Sequence, residues 1–441
     1  MAITAIFAPF IPLGLALLPL GWWSVVFPRI AIGILGISLI TGQVLRIPVF
    51  GQAGGLLLSD VAVILILVAS SMRVLQRKQI SRTATYHGLL LLPFLMWSLF
   101  TLVIHLPSMD TSVSIISISY LFRLTSYLLL LPALLLLFQD PLLRRFAHKI
   151  LMGATVALLV LGFLQILILP NIHDLPAWVG TGWDPHEKRL VASWLDPNFL
   201  GGFFMLMLIF WGANARWTIQ RAFLIGASFL ALALTQSRSS LIALAAAGLL
   251  MSPLLVWRYV SAAGAIYRKH RILQIVLVGA LGLVSVSIAG WILGDRLVGT
   301  ITHDSTVQLR LQSLRAVWQE FASTTALVGV GYNSYQFAAA RAGLASDFSL
   351  HSRAGVDNSW LMLWVTTGIP GVILFLLPWT YGLQQTWRRF LSERALPLLA
   401  PLGCFLTLLI HSQFLNSFLY VHLLITLSIL WALSLSTDTA S

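Results

Sequence analysis

The chain has 441 residues, of which 58% are hydrophobic and 9% are charged. Its mean hydropathy is +0.90. Soluble domains contain roughly 25% charged residues, so this composition excludes an ordinary soluble protein. The net charge is +13, but the basic residues stand in short segments between apolar runs. That pattern is typical of membrane topology and argues against a nucleic-acid-binding surface.

The apolar runs predict membrane-spanning helices along the chain. They are continuous, as in LLLLPALLLLF, whereas the strands of a membrane barrel alternate apolar and polar residues. A helix needs about 20 apolar residues to cross the hydrocarbon core, and about 12 spans are predicted here. The runs lie at residues 6–24, 25–45, 56–75, 86–105, 115–138, 147–169, 198–212, 218–234, 239–257, 272–294, 358–382, 395–413 and 415–435. The first two are interpretable as two spans or as one tilted span.

The basic residues indicate how the spans are oriented. Most of them lie in short loops on one side, which the positive-inside rule assigns to the cytoplasm. The sequence therefore predicts an all-α polytopic membrane protein in three parts. Residues 1–294 hold the first ten transmembrane helices, with an outer loop at 170–197. Residues 295–357 form a large extracytoplasmic loop between the tenth and eleventh spans, and residues 358–441 hold the C-terminal transmembrane helices.

The fifth predicted span contains a charged residue, Arg123. Ser119, Tyr120, Ser126 and Tyr127 stand three or four positions away, so all five side chains share one helix face, which is expected to look into the bundle. A charge inside a span is costly and is often functional. Two interpretations stay open, a structural hydrogen-bonded stripe and a contribution to ligand binding.

The turn between the eighth and ninth predicted spans, TQSRSS, contains Ser237 and Arg238. Ser237 is expected to cap the helix that follows. The free N–H groups of that helix start, the clustered hydroxyls and the guanidinium of Arg238 together predict an anion site. The alternative is an interfacial arginine that snorkels toward water, which the surrounding hydroxyls make less favoured.

The long outer loop contains an amphipathic helix, predicted over residues 305–322. At about 100° per residue, Arg310 falls on its apolar side and Arg315 at its polar border. An arginine on the apolar side points toward the membrane domain, so Arg310 is the stronger functional candidate. The alternative is that Arg310 pairs with a buried carboxylate for a structural reason.

The last candidate site opens the late apolar helix that follows Asn358. Asp357 stands directly before Asn358, and His351 lies upstream in the same loop. Helix capping alone accounts for both Asp357 and Asn358. The functional interpretation makes Asp357 a general base at the membrane surface, with His351 as the competing base. No group with metal-ligand spacing is found, so neither a metal nor another cofactor is predicted.

These candidates define one kind of chemistry. Guanidinium groups bind phosphate oxygens in pairs, so arginines beside a carboxylate or imidazole suit transfer from a lipid-linked phosphate donor. A transporter or lipid flippase is the rival of another class, because arginines inside a bundle also serve anion passage. The long outer loop with Arg310 favours the enzyme. Three polar residues near the end of the chain are expected to make interhelical hydrogen bonds, namely His411, Asn416 and His422.

The ordered set of polar and glycine-rich stretches resembles the O-antigen ligase and O-antigen polymerase superfamily. The matching stretches are LLLSDVAVIL, SWLDPNFLGGFFMLML, LTQSRSSLIALAAAGLL, LRLQSLRAVWQEF through LVGVGYNSYQF, and VDNSWLMLWVTTGIPGVILFLL. The resemblance implies a membrane glycosyltransferase that takes a glycan from undecaprenyl pyrophosphate outside the bacterial cytoplasmic membrane, without metal or nucleotide. By this resemblance, Ser237, Arg238 and Arg310 are expected to hold the pyrophosphate.

One position departs from the ligase pattern. Ligases have a histidine followed by an asparagine at the start of the late span, and here Asp357 stands before Asn358. The resemblance therefore implies a polymerase that extends a surface polysaccharide, as an inverting hexosyltransferase acting on an acceptor sugar hydroxyl. The alternatives are a ligase to lipid A–core and a protein O-oligosaccharyltransferase. The expected partners are the lipid-linked glycan, the acceptor glycan, membrane lipids and a chain-length regulator or flippase, with no nucleic acid.

Overall fold

The computed structural model describes residues 19–48, 55–77, 81–172, 186–213, 218–261, 314–322, 325–344 and 355–436. In these parts the chain is built from α-helices joined by short turns, with one small β-hairpin. The all-helical architecture predicted from the apolar runs is confirmed, and it is consistent with a polytopic membrane protein. The predicted span at 272–294 lies outside the described residues.

The N-terminal half contributes six helices and the hairpin. They are α1 (Pro19–Val26), α2 (Pro28–Thr41), β1 (Arg46–Pro48), β2 (Gly55–Leu57), α3 (Leu58–Arg77), α4 (Arg82–His105), α5 (Thr111–Leu137) and α6 (Pro141–Ile168). Helices α1 and α2 meet at a bend of 116°. The two strands pair antiparallel, with Arg46 opposite Leu57.

The C-terminal half contributes eight further helical segments in the described residues. They are α7 (Pro197–Gly212), α8 (Ile219–Thr235), α9 (Arg238–Ser261), α10 (314–321), α11 (Tyr335–Arg341), α12 (Ser359–Glu393), α13 (Leu399–His411) and α14 (Val421–Leu435). Segment α10 falls within the amphipathic helix predicted at 305–322, whose earlier residues lie outside the described part.

Several of these helices have the length and apolarity of membrane spans. Among the described residues six qualify singly, namely α3, α5, α6, α12, the first 18 residues of α9, and α4 together with the short turn that follows it. The bent pair α1–α2 would be a seventh, while α7, α8, α13 and α14 are shorter apolar helices. The total of about 12 spans, from the length that hydrocarbon requires, and the placement of the loops stay predictions.

Two ends of the bundle can be distinguished. The basic end carries the ion pairs Arg73–Asp140, at 3.3 Å, and Arg389–Glu393, at 2.9 Å. The opposite end, called the site end below, holds the starts of α3, α5, α7, α9, α12 and α14, because successive helices reverse direction. Backbone hydrogen bonds join separate segments at the site end. For example, Gln43 N–H, after α2, donates to the carbonyl of Ser193, before α7, at 2.9 Å.

A cluster of aromatic rings supports the turn between α13 and α14. The ring of Phe418 is fully buried. Its centroid lies 5.5 Å from that of Phe405, 5.9 Å from Trp379 and 6.0 Å from Phe375. These spacings are favourable for aromatic pairs. The turn at 412–420 is therefore held firmly against α12 and α13.

Helix α12 is interrupted at Gly368, which has φ 71°. A neighbouring segment fills the break. Val330 N–H donates to the carbonyl of Val365 at 2.8 Å, and Ile369 N–H donates to Ala326 at 2.9 Å. Backbone groups freed by the break thus find partners outside the helix, as the membrane interior requires. This segment, which contains Gly329 and Gly331, is thus docked onto α12 by backbone hydrogen bonds.

We predict that Gly368→Ala destabilises the protein by about 1–3 kcal/mol, because an L side chain is strained at this backbone conformation. Its Cβ would also collide with the carbonyl of Leu327. Gly153→Ala is the matched control, since a Cβ there meets no atom within 4 Å. Thermal unfolding of the detergent-solubilised variants measures the difference. Equal unfolding temperatures for both variants would contradict the strained break.

Candidate functional site

Three helices of the site end begin at a side chain that caps them. Asp196 accepts a backbone N–H bond at 2.7 Å at the start of α7. Ser237 accepts one at 3.4 Å at the start of α9, and Asn358 accepts two, at 2.9 and 3.0 Å, at the start of α12. Each cap satisfies donors that the helix itself leaves free. The predicted cap at Ser237 is therefore present, and Asn358 also acts as a cap.

The turn before α9 is shaped by close packing. Helix α8 ends at Thr235, and Gln236 takes the left-handed conformation with φ 53°. Helix α7 approaches this turn at Gly201, where a Cβ would lie 2.9 Å from the Cβ of Ser237 and from Oγ of Ser240. Only glycine allows this approach, and it brings the starts of α7 and α9 together. Arg238 follows Ser237 as the first residue of α9.

Buried hydroxyl groups behind Arg238 form a network with one imidazole. Ser237 Oγ lies 2.8 Å from Ser240 Oγ and 3.2 Å from Ser239 Oγ. The Nε2 atom of His411 lies 3.0 Å from Ser240 Oγ and 3.2 Å from Ser239 Oγ, and its Nδ1 lies 2.6 Å from Ser417 Oγ. The interhelical hydrogen bonds expected for His411 are thus present. Among the described residues, the ring nitrogens of His422 and the amide oxygen of Asn416 have no hydrogen-bond partner, so the same expectation fails for these atoms.

The start of α12 is fastened to the turn that follows His411. Asn358 Nδ2 donates to the carbonyl of Gln413 at 3.0 Å, and Ser359 N–H donates to that of Ser412 at 2.9 Å. Asp357 stands directly before this anchored pair and is half-buried. The start of α9 and the start of α12 are therefore connected through α13 and its following turn.

A second carboxyl group, Asp196, lies near Asp357. Burial raises the pKa of Asp196. The N–H donors of the first turn of α7 and the charge of Arg189 oppose this rise, whereas the charge of Asp357 adds to it. Arg189 also donates to Asn198 Oδ1 at 3.0 Å and to the carbonyl of Thr235 at 2.9 Å. The site end thus gathers two carboxyl groups and a guanidinium between α7, α9 and α12.

Arg123 belongs to a different cluster. Its Nε and Nη2 atoms donate to the two carboxylate oxygens of Asp60 at 2.8 and 2.5 Å, and Nη2 also donates to the carbonyl of Gly55. Tyr127 donates to Asp60 at 3.0 Å, and the Tyr120 ring lies 5.2 Å from the guanidinium carbon. These contacts are those of the structural stripe. The contribution of Arg123 to ligand binding stays a prediction.

Part of the predicted stripe faces elsewhere. Ser126 and Tyr127 are buried, as expected, but Ser119 is exposed and donates to the carbonyl of Ile115 in its own helix. The shared inward face therefore holds from Tyr120 onward and fails for Ser119. Two positions earlier, Ser117 is buried and donates to the carbonyl of Asn333 at 3.3 Å, so the inward side of α5 passes through Ser117 there and not through Ser119.

The remaining candidates lie in and around the outer loop. Arg310 and His351 lie outside the described residues. Arg315 is exposed on α10, whose side chains Val317 and Phe321 are buried. Its placement on the polar side agrees with the predicted helix face. Within the described residues no group of three or more His, Cys, Asp or Glu side chains could hold a metal ion.

Three charged residues of the site end escaped the sequence interpretation. For Asp60 and Arg189, the neighbouring residues in the sequence do not indicate which residues they contact. Asp196 does carry a local pattern, because an aspartate directly before a proline, here Pro197, is a typical start of a helix. That pattern indicated a cap, but the proximity of Asp196 to Asp357 depends on how α7 and α12 pack.

The fold and the site end define a class: a polytopic membrane protein whose helix starts gather hydroxyls, amides, arginines and carboxyl groups at one end. A family model described as O-antigen ligase matches residues 222–376, a range that includes Arg238, Arg310 and Asp357. The matched range is about a third of the chain, and over that range the match supports assignment to the O-antigen ligase and polymerase family. The search of curated proteins gives no match. Members of that family are glycosyltransferase-like enzymes.

We predict that Arg123→Ala destabilises the protein by about 3–5 kcal/mol, because it leaves the charge of Asp60 buried without a partner. The double variant R123A/D60N should recover more than half of that loss, since an amide needs no counter-charge. Arg145→Ala removes an exposed arginine at the basic end and serves as the control. Thermal unfolding in detergent measures all three. If R123A matched R145A in stability, the ion pair would have no structural role.

Proposed function

We propose that the protein is a glycan polymerase that works on the outer face of the bacterial cytoplasmic membrane. Its donor would be an oligosaccharide linked to undecaprenyl pyrophosphate, and its acceptor a sugar hydroxyl of a second glycan. The observation that carries the proposal is the capped start of α9, Ser237–Arg238, which hydrogen bonds connect to the start of α12 at Asp357–Asn358. The family match over this region supports it.

The start of α9 suits a diphosphate on physical grounds. A helix start presents backbone N–H groups and the positive end of the helix dipole. The guanidinium of Arg238 adds paired donors to phosphate oxygens. In this proposal Ser237 and Arg238 hold the pyrophosphate together with Arg310, which the resemblance assigns to the same role. Arg315 lies on α10, close in sequence to Arg310.

The transfer step follows from this arrangement. The acceptor oxygen attacks the anomeric carbon on the face opposite the pyrophosphate, so a new glycosidic C–O bond forms as the C–O bond to phosphate breaks. The configuration is inverted. The hydroxyl proton passes to Asp357, or to His351 if that imidazole is the base. The electron pair leaves with the pyrophosphate, and the arginines stabilise its growing charge. No metal or nucleotide takes part in this proposal.

The basic end supports the orientation. Arg73, Arg145 and Arg388 lie at that end, which the positive-inside rule assigns to the cytoplasm. The site end then faces the outside, or the periplasm of a two-membrane envelope. In this proposal the lipid-linked glycans reach the enzyme on that side after a flippase has moved them across the membrane. A chain-length regulator is a suitable protein partner.

A ligase is the second candidate, since the matching family model is described as O-antigen ligase. It would transfer the glycan to lipid A–core, or to protein as an O-oligosaccharyltransferase. Asp357 favours the polymerase, because ligases resembling this chain have a histidine in its place. A transporter or flippase, the rival of another class, is less favoured, because the family members are glycosyltransferase-like enzymes.

We predict that Arg238→Ala and Arg310→Ala each lower glycan transfer by about 100- to 1,000-fold, the loss typical of removing one stabilising donor. Each variant is expressed in a strain that lacks the protein, and the lengths of the surface glycans are compared. Arg145→Ala, at the basic end, should support normal chains. Wild-type chain length in both R238A and R310A would contradict the site.

The glycan profile of the strain without the protein separates the candidates. Single glycan units on the surface, without long chains, mean a polymerase. Intact polymer left on its lipid carrier means a ligase, and donor lipid retained on the cytoplasmic face means a flippase.

A further inference from the structure

His411 connects three parts of the site end. It is the last residue of α13, and its side chain is fully buried. Nε2 is hydrogen bonded to Ser240 at 3.0 Å and to Ser239 at 3.2 Å, both in the first turn of α9. Nδ1 is hydrogen bonded to Ser417 at 2.6 Å, in the turn that follows α13. The imidazole thus bridges two elements that are far apart in sequence.

The turn carries the connection on to α12. Ser359 Oγ donates to the carbonyl of Leu415 at 3.0 Å and accepts from Phe418 N–H at 3.2 Å. Trp360 Nε1 donates to Ser412 Oγ at 2.8 Å. These hydrogen bonds run from the first turn of α9 to the first turn of α12 through α13 and residues 412–418, and His411 is their link on the α9 side.

The chemistry of the ring fits a bridge of fixed width. A neutral imidazole has one N–H donor and one acceptor nitrogen, on different sides of a rigid plane. Hydroxyl groups, such as those of Ser240 and Ser417, can take either role. Asparagine places one polar atom near the position of Nδ1, and glutamine places one near Nε2. Neither amide spans both partners, so each breaks one side of the bridge.

We propose that His411 is a positioning residue that sets the separation between the pyrophosphate-binding start of α9 and the base-bearing start of α12. This inference rests on the proposed function. His411 touches neither donor nor acceptor. It acts through Ser239 and Ser240 on one side and Ser417 on the other, so that Arg238 holds the leaving group at the distance at which Asp357 meets the attacking hydroxyl.

The test uses the purified full-length protein in lipid nanodiscs. The substrate is the lipid-linked oligosaccharide isolated from a strain that lacks the protein. In His411→Gln, His411→Asn and Ser417→Ala we expect kcat to fall by about 10- to 100-fold, as displaced reacting groups do. The KM for the donor should change by less than about threefold, because the diphosphate contacts are retained. His148→Gln, at the basic end, is the matched control and should leave both constants unchanged.

A double-variant comparison adds a readout that a merely structural role would not move. Once His411→Gln has broken the bond to Ser417, adding Ser417→Ala should lower kcat no further. Unchanged kcat in folded H411Q and S417A, or additive losses in the double variant, would overturn the positioning role. Failure of the wild-type protein to join donor units would instead overturn the proposed function, so the two failures are distinguishable.

Discussion

The site end depends on one constraint: backbone donors at the start of a membrane helix must find partners within the protein. Asp196, Ser237 and Asn358 each meet it with a side-chain oxygen. Three helix starts then lie at one end of the bundle, and each presents the positive end of its dipole there. An anionic group is favoured at such a place, and the arginine that opens α9 adds a full positive charge. Capping and anion binding are thus two consequences of the same arrangement.

Close backbone packing keeps these helix starts in place. Gly201 lets α7 lie against the turn before α9, and Gly368 opens α12 so that the segment around Val330 can bond to it. Arg123 and Arg238 differ in their place within the helices of the site end. Arg123 is matched by Asp60 within hydrogen-bonding distance, so its charge is largely balanced inside the protein. Arg238 is the first residue of α9, where the helix dipole favours an anion.

The helices could be predicted because a long apolar run by itself indicates a helix in an apolar environment. The cap at Ser237 could be predicted because capping depends only on residues that are neighbours in sequence. The sequence also indicated that His411 bonds between helices, without naming the partners. The pair Arg123–Asp60 and the proximity of Asp196 to Asp357 could not be predicted, since both depend on how distant helices pack. The docking of Val330 onto α12 was missed for the same reason, and the inward face of α5 was predicted too broadly at Ser119.

The most direct test of the central claim is a cryo-EM structure of the protein with bound undecaprenyl pyrophosphate. The account predicts the diphosphate within hydrogen-bonding distance of Arg238 and of the first N–H groups of α9, on the side that faces Asp357. A diphosphate bound at the basic end, or on the Arg123–Asp60 cluster with Arg238 turned toward lipid, would contradict it.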